Sequence, residues 1–265
     1  MMILRFIGGL GNQLFIYSFG RAMQINHNVH VYFDSYSGFK KDVYKRKFEL
    51  DNFNTNIKRA LRYNSFYFPI RKRSESLAKT LFPGSFYIEE DQNFDLEQFI
   101  TQEKLHRKIF IEGYFQNQKY FENIKDLLQT ELTLNTNLSE KAKEYLKTIN
   151  NYNSVAVHIR LKERANLNQL DFYSKNISRL KNELHDPTFF LFSDDINWCK
   201  KNMKLDSDVI FIVNSNNQIE DFWLMKNCNN FIISNSTFSW WAAFLSDNSN
   251  KIIISPNEQL FNHIK

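Results

Sequence analysis

The second half of the chain alternates between short, continuous hydrophobic runs and segments in which hydrophobic positions recur with helical spacing. Short runs rich in β-branched and aromatic residues are typical of strands that are buried on both faces. The predicted strands cover 154–161, 188–195, 208–214, 230–236 and 251–256, and the predicted helices cover 170–184, 196–203, 218–228 and 237–246. Strands that alternate with helices in this way indicate βα units and a parallel sheet.

The first half of the chain is less regular. Its predicted strands cover 2–9, 28–34 and 107–117 (the last with a turn), and a predicted helix covers 12–26. A further helix over 137–149 begins with a possible Asn or Ser cap and precedes the regular βα series. We therefore predict two α/β domains, 1–136 and 137–265, with a cleft between them and ligands at the carboxyl ends of the strands.

Composition indicates a globular protein with an anionic partner. Hydrophobic residues make up 43% of the 265 residues, and 26 of them are Phe, so a large core can form. The net charge of +5 fits a nucleotide, a phosphate, nucleic acid or an anionic membrane, although no nucleic-acid-binding module is recognisable. Cys199 and Cys228 have no CxxC partners, so we predict reduced, buried thiols, with neither a disulfide framework nor a zinc site.

The segment 57–82 is rich in Lys, Arg and aromatic residues. It could lie on a membrane surface or grip a charged acceptor, but its pattern favours a solvated helical excursion with apolar residues packed inward. The sequence has no recognisable signal peptide and no apolar run of the ~20 residues that a membrane-spanning helix needs. We therefore expect a cytoplasmic protein, with peripheral contact at the inner membrane face left open.

The stretch RFIGGLGNQLFIY (5–17) predicts a strand that ends in a glycine-rich turn and enters a helix. Such a turn brings backbone amides to the helix N-terminus, where they favour an anion or a polar sugar. The spacing is not the GxGxxG of dinucleotide-binding folds, and Asp34 is the only candidate for the acidic ribose ligand. On this stretch alone, a tight turn without a ligand is an equal alternative.

Polar side chains also follow two neighbouring strands of the second half. His158 and Arg160 lie at the exit of the strand VAVHIRL, where an arginine can bind phosphate through two nitrogens or pair with a structural carboxylate. Asp194 and Asp195 follow the next strand, where they could cap the helix behind them or bind a nucleotide or sugar hydroxyl. Both alternatives stay open for each pair.

A third candidate lies in 220–246. A predicted strand delivers Ser234 and the residues after it to the start of a helix, and hydroxyls with free amides at such a place can cradle a phosphate. Thr237 could instead be only the N-cap of that helix. The pair Trp240 and Trp241 is more typical of packing than of stacking on a substrate.

Together these motifs resemble the bacterial α-1,2-fucosyltransferases of glycosyltransferase family eleven, over essentially the whole chain. The resemblance rests on GGLGNQLF (8–15), EGYFQNQKYF (112–121), VHIRLKE (157–163), FLFSDD (190–195) and DFWLMKNCNNFIISNSTFSWWAAFL (221–245). It implies the GT-B architecture, with two Rossmann-like domains facing a cleft. It also implies transfer of L-fucose from GDP-β-L-fucose to the 2-hydroxyl of a terminal galactose, with inversion and without a metal or other cofactor.

The resemblance also implies site residues. The acceptor side is the domain 1–136, and the GDP-sugar binds mainly to 137–265. Arg160 would hold the diphosphate, and the acceptor would meet Tyr114 and Gln116. The other implied donor contacts are Gly11, Asn12, Gln13, His158, Asp194, Asp221, Asn235, Ser236, Thr237, Phe238 and Ser239. The expected acceptor is an oligosaccharide of lipopolysaccharide or capsule, linked to lipid at the inner membrane face.

The chain departs from the family's His-x-Arg-Arg-Gly-Asp motif, because Leu161, Lys162 and Glu163 replace its last three residues. We assign Glu163 as the general base, with Glu112 and Asp194 as alternatives. The departure keeps two other functions open: transfer from a different nucleotide-sugar, and binding of nucleotide or glycan without turnover.

Overall fold

The structure is a computed structural model that describes residues 1–91, 94–101, 107–161, 167–203, 209–212 and 217–256, with the backbone alone at 167–169. The contacts between residues divide the chain into Met1–Asn135 and Thr136–Lys265, which we call the N-terminal unit and the C-terminal unit. In the described residues, each unit is built on a parallel sheet.

The sheet of the N-terminal unit has four parallel strands in the order β2-β1-β4-β3. The strands are β1 (Met2–Arg5), β2 (Val31–Asp34), β3 (Ser85–Glu89) and β4 (Lys108–Glu112). The helices are α1 (Leu10–His27), α2 (Arg62–Ser65), α3 (Tyr67–Arg73), α4 (Glu75–Leu81), α5 (Leu96–Thr101) and α6 (Lys125–Glu131). Short 3₁₀ turns cover Leu50–Asn52, Gln118–Tyr120 and Glu122–Ile124.

The helices α2 to α4 pack on this sheet through aromatic side chains. The ring of Tyr67 stacks on that of Phe110 in β4, with centroids 3.7 Å apart. Phe68, Ala78 and Phe82 are buried in the same cluster. The segment 57–82 therefore forms a helical excursion, as expected, built of three short helices and with part of its apolar residues packed inward.

Elements of the N-terminal unit differ from the prediction for local reasons, and the strands predicted over 2–9 and 107–117 end earlier, at Arg5 and Glu112. The predicted strand over 28–34 begins only at Val31, because Asn28 has a φ of +50° and ends α1 as its C-cap. The edge strand β3 was not predicted, because none of its side chains is fully buried and its hydrophobic run is correspondingly short.

The sheet of the C-terminal unit has five parallel strands in the order β7-β6-β5-β8-β9. The strands are β5 (Asn153–Ile159), β6 (Pro187–Ser193), β7 (Val209–Phe211), β8 (Asn230–Ile232) and β9 (Ile253–Ile254). The helices are α7 (Glu140–Asn151), α8 (Leu167–Glu183), α9 (Ile196–Asn202), α10 (Gln218–Lys226) and α11 (Thr237–Leu245). The predicted βα series and its parallel sheet are confirmed.

The strand order reverses beside the central strand β5. The chain builds β6 and β7 on one side of β5, then returns to place β8 and β9 on the other side. In open α/β sheets, ligands bind at the carboxyl ends of the strands where the order reverses. The predicted strand over 230–236 ends at Ile232, which leaves the following residues as a loop at this edge.

Candidate functional site

A hydrogen bond joins the ends of β5 and β8 at this reversal. The Oγ atom of Ser234 lies 2.8 Å from Nδ1 of His158, although the two residues are 76 positions apart in the chain. Both side chains are buried. The two motifs that the sequence analysis singled out separately therefore form one structure.

His158 is a neutral hydrogen-bonding group at this place. Burial, and to a smaller extent the charge of Arg160, lower the pKa of the imidazole to about 3, while the charge of Asp194 acts in the opposite direction. At neutral pH the uncharged ring can form a hydrogen bond with a hydroxyl, as donor or acceptor, but it carries no positive charge. The positive charge at the end of β5 therefore comes from Arg160.

Arg160 projects from the end of β5 and is half-exposed. Its Nε atom lies 3.6 Å from Oδ2 of Asp194, while Oδ1 of Asp194 accepts a 2.8 Å hydrogen bond from the amide of Leu161. Asp194 thus fixes the backbone behind the arginine and loosely orients its side chain. Because 47% of the Arg160 side chain is exposed, the guanidinium remains accessible to an anionic ligand.

The loop after β8 leads directly into α11. The N-cap of this helix is Ser236, whose Oγ accepts a 3.3 Å bond from the amide of Phe238, so the alternative that Thr237 is the cap is wrong. Ser239 donates its hydroxyl to the Ser236 carbonyl at 3.3 Å, and Asn235 is exposed. The positive end of the α11 dipole therefore lies at the same sheet edge as Arg160.

Asp221, in the first turn of α10, is a partly buried acid with a raised pKa. Burial, together with the smaller effect of the neighbouring charge of Glu220, raises its pKa to about 7. Its Oδ1 atom is buried and has no hydrogen-bond partner in the part of the chain that the structure describes. The next residue, Phe222, contacts Phe238, whose ring lies 5.6 Å from that of His158.

Glu220 has a different role from that of Asp221. Its carboxylate accepts 2.7 Å and 2.9 Å hydrogen bonds from the amide and hydroxyl of Ser139, the N-cap of α7. It therefore holds α10 against α7. Glu220 therefore has hydrogen-bond partners within the fold, whereas the buried Oδ1 atom of Asp221 has none among the described residues.

Asp195 and the two cysteines of this unit have structural roles. Asp195 caps α9 by accepting a 2.9 Å bond from the Trp198 amide, which confirms the capping alternative. Cys199 and Cys228 are buried, free thiols, as expected, and burial raises the pKa of each. Lys162 and Glu163, the assigned base among them, lie outside the described residues.

In the N-terminal unit, the glycine turn after β1 is joined to the loop after β4. Gly8 has a φ of +80°, and a Cβ atom there would lie 2.6 Å from Nδ2 of Asn12. The Oδ1 atom of Asn12 in turn accepts a 2.9 Å bond from Nε2 of Gln116. Gly11 is buried one position before Asn12. The predicted donor residues Gly11 and Asn12 and the predicted acceptor residue Gln116 therefore lie together.

Gln13 is fully buried, and its side chain binds three backbone groups. Nε2 donates to the carbonyls of Gly8 and Lys47 at 3.1 Å and 2.9 Å, and Oε1 accepts from the amide of Glu49 at 2.9 Å. These bonds fix the glycine turn against the loop before residue 50. The donor contact that the resemblance implies would require the side chain to give up some of them.

The loop after β4 lifts Tyr114 and Gln116 to the surface. Oε2 of Glu90 accepts bonds from the amides of Tyr114 and Phe115 at 2.9 Å and 2.8 Å. Phe115 has a φ of +51°, and its buried ring stacks on Phe19 at 4.0 Å. The sequence analysis missed Glu90, for which the only signal is Gly113, where a Cβ atom would lie 2.4 Å from that of Glu90.

Glu112, the alternative base at the end of β4, is part of an ion pair with Arg5 at the end of β1. Arg5 also donates from Nε to the Ser37 hydroxyl at 2.9 Å. Among the described residues, no group of three or more His, Cys, Asp or Glu side chains could hold a metal ion. Within the same residues, no helix is both long enough and apolar enough to cross a membrane.

Comparison with known proteins identifies the family. The family described as Glycosyl transferase family 11 matches residues 1–263. An α-1,2-colitosyltransferase of Escherichia coli is 32% identical over 280 aligned residues, covering 97% of this chain and 91% of that protein. The O-antigen biosynthesis glycosyltransferase WbnK of Escherichia coli is 26% identical over 284 residues, covering 95% and 92%.

The solved structures give the fold class. The crystal structure of NodZ α-1,6-fucosyltransferase soaked with GDP-fucose matches with a TM-score of 0.60 and 13% identity, covering 100% of this chain and 97% of that one. This likeness confirms the predicted α/β fold of the GT-B class. Together with the family match over nearly the full length, it shows that the chain belongs to glycosyltransferase family 11.

Proposed function

We propose that this glycosyltransferase moves L-fucose from GDP-β-L-fucose to the 2-hydroxyl of a terminal galactose, forming an α-1,2 linkage in a lipopolysaccharide or capsule glycan. The observation that carries the proposal is the junction of β5 and β8, where the His158–Ser234 bond brings Arg160 and the start of α11 to one sheet edge. A permanent cation beside a helix N-terminus suits a diphosphate.

The donor would lie on the C-terminal unit. Arg160 holds the diphosphate, and the loop Asn235–Ser239 receives the β-phosphate through hydroxyls and backbone amides. Asp221 is the residue proposed to bind the guanine base, because a carboxylate can accept hydrogen bonds from the N–H groups of guanine. The Oδ1 atom of Asp221 has no hydrogen-bond partner in the described residues. Crystal structures of the similarly folded NodZ α-1,6-fucosyltransferase were obtained with GDP-fucose and with GDP, which supports a GDP-sugar as the donor.

In the reaction, the bond from the sugar C1 to the diphosphate oxygen breaks, and the acceptor oxygen forms its bond to C1 from the opposite face. Arg160 stabilises the charge on the departing GDP. The acceptor proton passes to a carboxylate, a step that typically contributes ~10²–10⁴-fold. Glu163 remains the proposed base, because both alternatives are engaged: Glu112 pairs with Arg5, and Asp194 pairs with Arg160. The transfer uses no metal.

The acceptor would be bound by the N-terminal unit. Tyr114 and Gln116 are exposed on a loop whose backbone is fixed by Glu90, so they can contact a sugar without reorganising the turn. A tyrosine ring is a suitable surface for the apolar face of a galactose. The bond from Gln116 to Asn12 connects this loop to the glycine turn.

A different donor is the second candidate function. The 32% identity to a colitosyltransferase favours a colitosyl nucleotide as the alternative to GDP-fucose. The change of the family motif at Leu161, Lys162 and Glu163 points in the same direction. A binding protein without turnover is the third possibility, which the same assay separates from the others.

The test is the thermal stabilisation of the protein by GDP, GDP-fucose, GDP-mannose and UDP-galactose, with EDTA present, followed by a transfer assay. A ligand at a hundredfold excess over its Kd stabilises the folded state by ~2.7 kcal/mol. We expect shifts with GDP and a larger one with GDP-fucose. A GDP shift without preference for fucose supports another donor, and binding without transfer or donor hydrolysis supports the binding protein.

The matched variants are Arg160→Ala and Arg179→Ala. Arg179 is exposed on α8 and pairs with Glu183 at 2.7 Å, so its loss removes the same charge outside the site. We expect Arg160→Ala to weaken GDP binding and nearly abolish transfer, while Arg179→Ala retains both. Near-normal transfer by Arg160→Ala would exclude the assigned role.

A further inference from the structure

The positive charge of the chain is concentrated in one segment of the N-terminal unit. Residues 57–82 contain seven Lys and Arg residues and one acid, a net charge of +6, whereas the whole chain carries +5. The rest of the chain is therefore slightly acidic. None of these cations belongs to the proposed donor or acceptor residues, so their concentration needs another explanation.

The same segment exposes large apolar side chains. Those of Leu61, Tyr63, Phe66, Leu77 and Leu81 have exposed fractions of 75%, 56%, 45%, 48% and 43%. The inward sides of α3 and α4 are already filled by Tyr67, Phe68, Ala78 and Phe82. The exposed apolar side chains are therefore different from those that pack on the sheet. A surface that contacts only water would carry polar residues at these positions.

Cations and apolar groups occur side by side on these helices. Phe66 is the N-cap of α3 and Arg73 is its last residue, seven positions or about two turns later, so both lie on one side of the helix. Leu77 and Leu81 are four positions apart and share a side of α4. The Tyr63 hydroxyl donates to the Leu81 carbonyl at 2.7 Å, which places Tyr63 of α2 at the end of α4.

Part of this charge is neutralised locally, because Arg59 pairs with Asp51. Glu75 pairs with both Arg71 at 3.0 Å and Lys79 at 2.8 Å. Lys72 and Arg73 form no ion pair within the described part of the chain, and both are exposed. The outer surface of α3 and α4 therefore keeps a net positive charge next to exposed leucines.

A neighbouring loop has the same character. Residues 40–47 contain five Lys and Arg residues and one acid, and Val43 and Tyr44 in it are 89% and 70% exposed. Arg62 of α2 lies over the ring of Tyr36, 4.7 Å from its centroid, and Lys40 lies 5.9 Å from the same ring. This contact joins the loop to α2, and we call residues 36–47 and 57–82 together the basic–apolar surface.

We propose that this basic–apolar surface binds an anionic lipid bilayer, with its cations at the lipid phosphates and its exposed apolar side chains in the headgroup region. Charge complementarity selects an anionic partner. The exposed aliphatic side chains of Leu61, Leu77 and Leu81 select lipid over nucleic acid, because a bilayer rewards their burial and a phosphate backbone does not. The proposal stands independently of the identity of the sugar donor.

The test is co-sedimentation of the full chain with vesicles of phosphatidylcholine alone and of phosphatidylcholine mixed with phosphatidylglycerol. We expect binding to the mixed vesicles only, weakening as sodium chloride is raised. For Lys72→Glu combined with Arg73→Glu, we expect a loss of about fivefold in partitioning per cation removed. The matched control is Lys141→Glu combined with Lys147→Glu on α7, which makes the same change in net charge and should retain binding apart from a small general effect.

A second pair of substitutions separates insertion from charge attraction. Leu77→Ser combined with Leu81→Ser leaves the charge unchanged and should still lower partitioning severalfold, while the salt dependence persists. All substituted side chains are exposed, and unchanged circular dichroism and melting temperature verify that each variant is folded. The proposal is overturned if the mixed vesicles are not bound, if the α7 control loses as much binding, if the leucine variant binds like the parent, or if RNA competes as well as vesicles.

Discussion

Replacing Asp221 by asparagine should make the ligand-free C-terminal unit more stable and weaken its binding of GDP. In the folded chain, burial and the charge of Glu220 raise the pKa of Asp221 to about 7. Above that pH the carboxylate is charged in a place where its Oδ1 atom has no partner among the described residues. An amide of the same shape avoids that ionisation, so the substitution removes a source of instability.

The size of the effect follows from proton linkage. Between the ordinary pKa of 3.8 and the folded value of about 7, the folded state keeps a proton that the unfolded state releases. Below pH 3.8 the carboxyl is neutral in both states and does not lower the free energy of unfolding. As the pH rises from 3.8 to about 7, the free energy of unfolding falls by ~1.36 kcal/mol per pH unit. The total is at most about 4 kcal/mol, and it is constant above that pH.

The assay is urea unfolding followed by tryptophan emission, because all four tryptophans, at 198, 223, 240 and 241, lie in the C-terminal unit. From about pH 5 to about pH 7, the advantage of Asp221→Asn over the parent should grow by up to about 3 kcal/mol and then level off. The control is Glu220→Gln, which weakens the bonds to Ser139 and should cost about 1–3 kcal/mol.

Two results would refute this reasoning in different ways. An advantage that does not change with pH, or an Asp221→Asn variant that is less stable at about pH 8, would show that the carboxylate is well solvated or paired in the folded state. If GDP affinity does not fall by about tenfold or more, Asp221 does not read the guanine base, because a hydrogen bond to a charged group contributes about 1.5–3 kcal/mol. The second outcome leaves the stability argument intact.

Three further substitutions test other buried contacts. Glu131→Gln should destabilise the N-terminal unit by about 3–5 kcal/mol, because it removes the counter-charge of the buried Arg21; far-UV circular dichroism should report the loss before tryptophan emission changes. Ser234→Ala should lower the melting temperature and GDP affinity together, because a buried nitrogen of His158 loses its partner at a cost of about 1–3 kcal/mol. Gln13→Leu should cost about 1–3 kcal/mol for each buried backbone group left unpaired, which urea unfolding of the N-terminal unit measures; unchanged stability would show that these bonds do not form in solution.

The regular half of the fold could be predicted because its strands are buried on both faces. β5 is buried at six of seven positions, so its hydrophobic run is continuous and marks a parallel strand. The edge strand β3 has no fully buried position, and α2 is only one turn long, so neither produces a clear period. Such elements form because of the residues they contact in the fold, and a single sequence does not show which residues those are.

The site was predictable in its residue types and not in their contacts. The sequence placed His158, Arg160 and Ser234 at strand ends, but their distance follows from the order of strands in the sheet. Asp221 was a weak candidate because burial and the absence of a partner among the described residues cannot be read from residue type. Gln13 was assigned as a donor contact from the resemblance alone, and the backbone groups that its side chain binds leave no pattern in the sequence.

The pairing of β5 with β8 also sets the order in which a growing polypeptide can acquire this site. β6 pairs with β5 soon after it is synthesised, whereas β8 follows β5 by about 75 residues, since Val155 is in register with Asn230. Contacts of such long range form late, because the loop-closure entropy must be offset first. A nascent chain that ends before residue 230 can assemble β5, β6 and β7 but lacks Ser234. Competence to bind a nucleotide at the proposed site would therefore arise only after β8 and the loop that carries Ser234 have been synthesised.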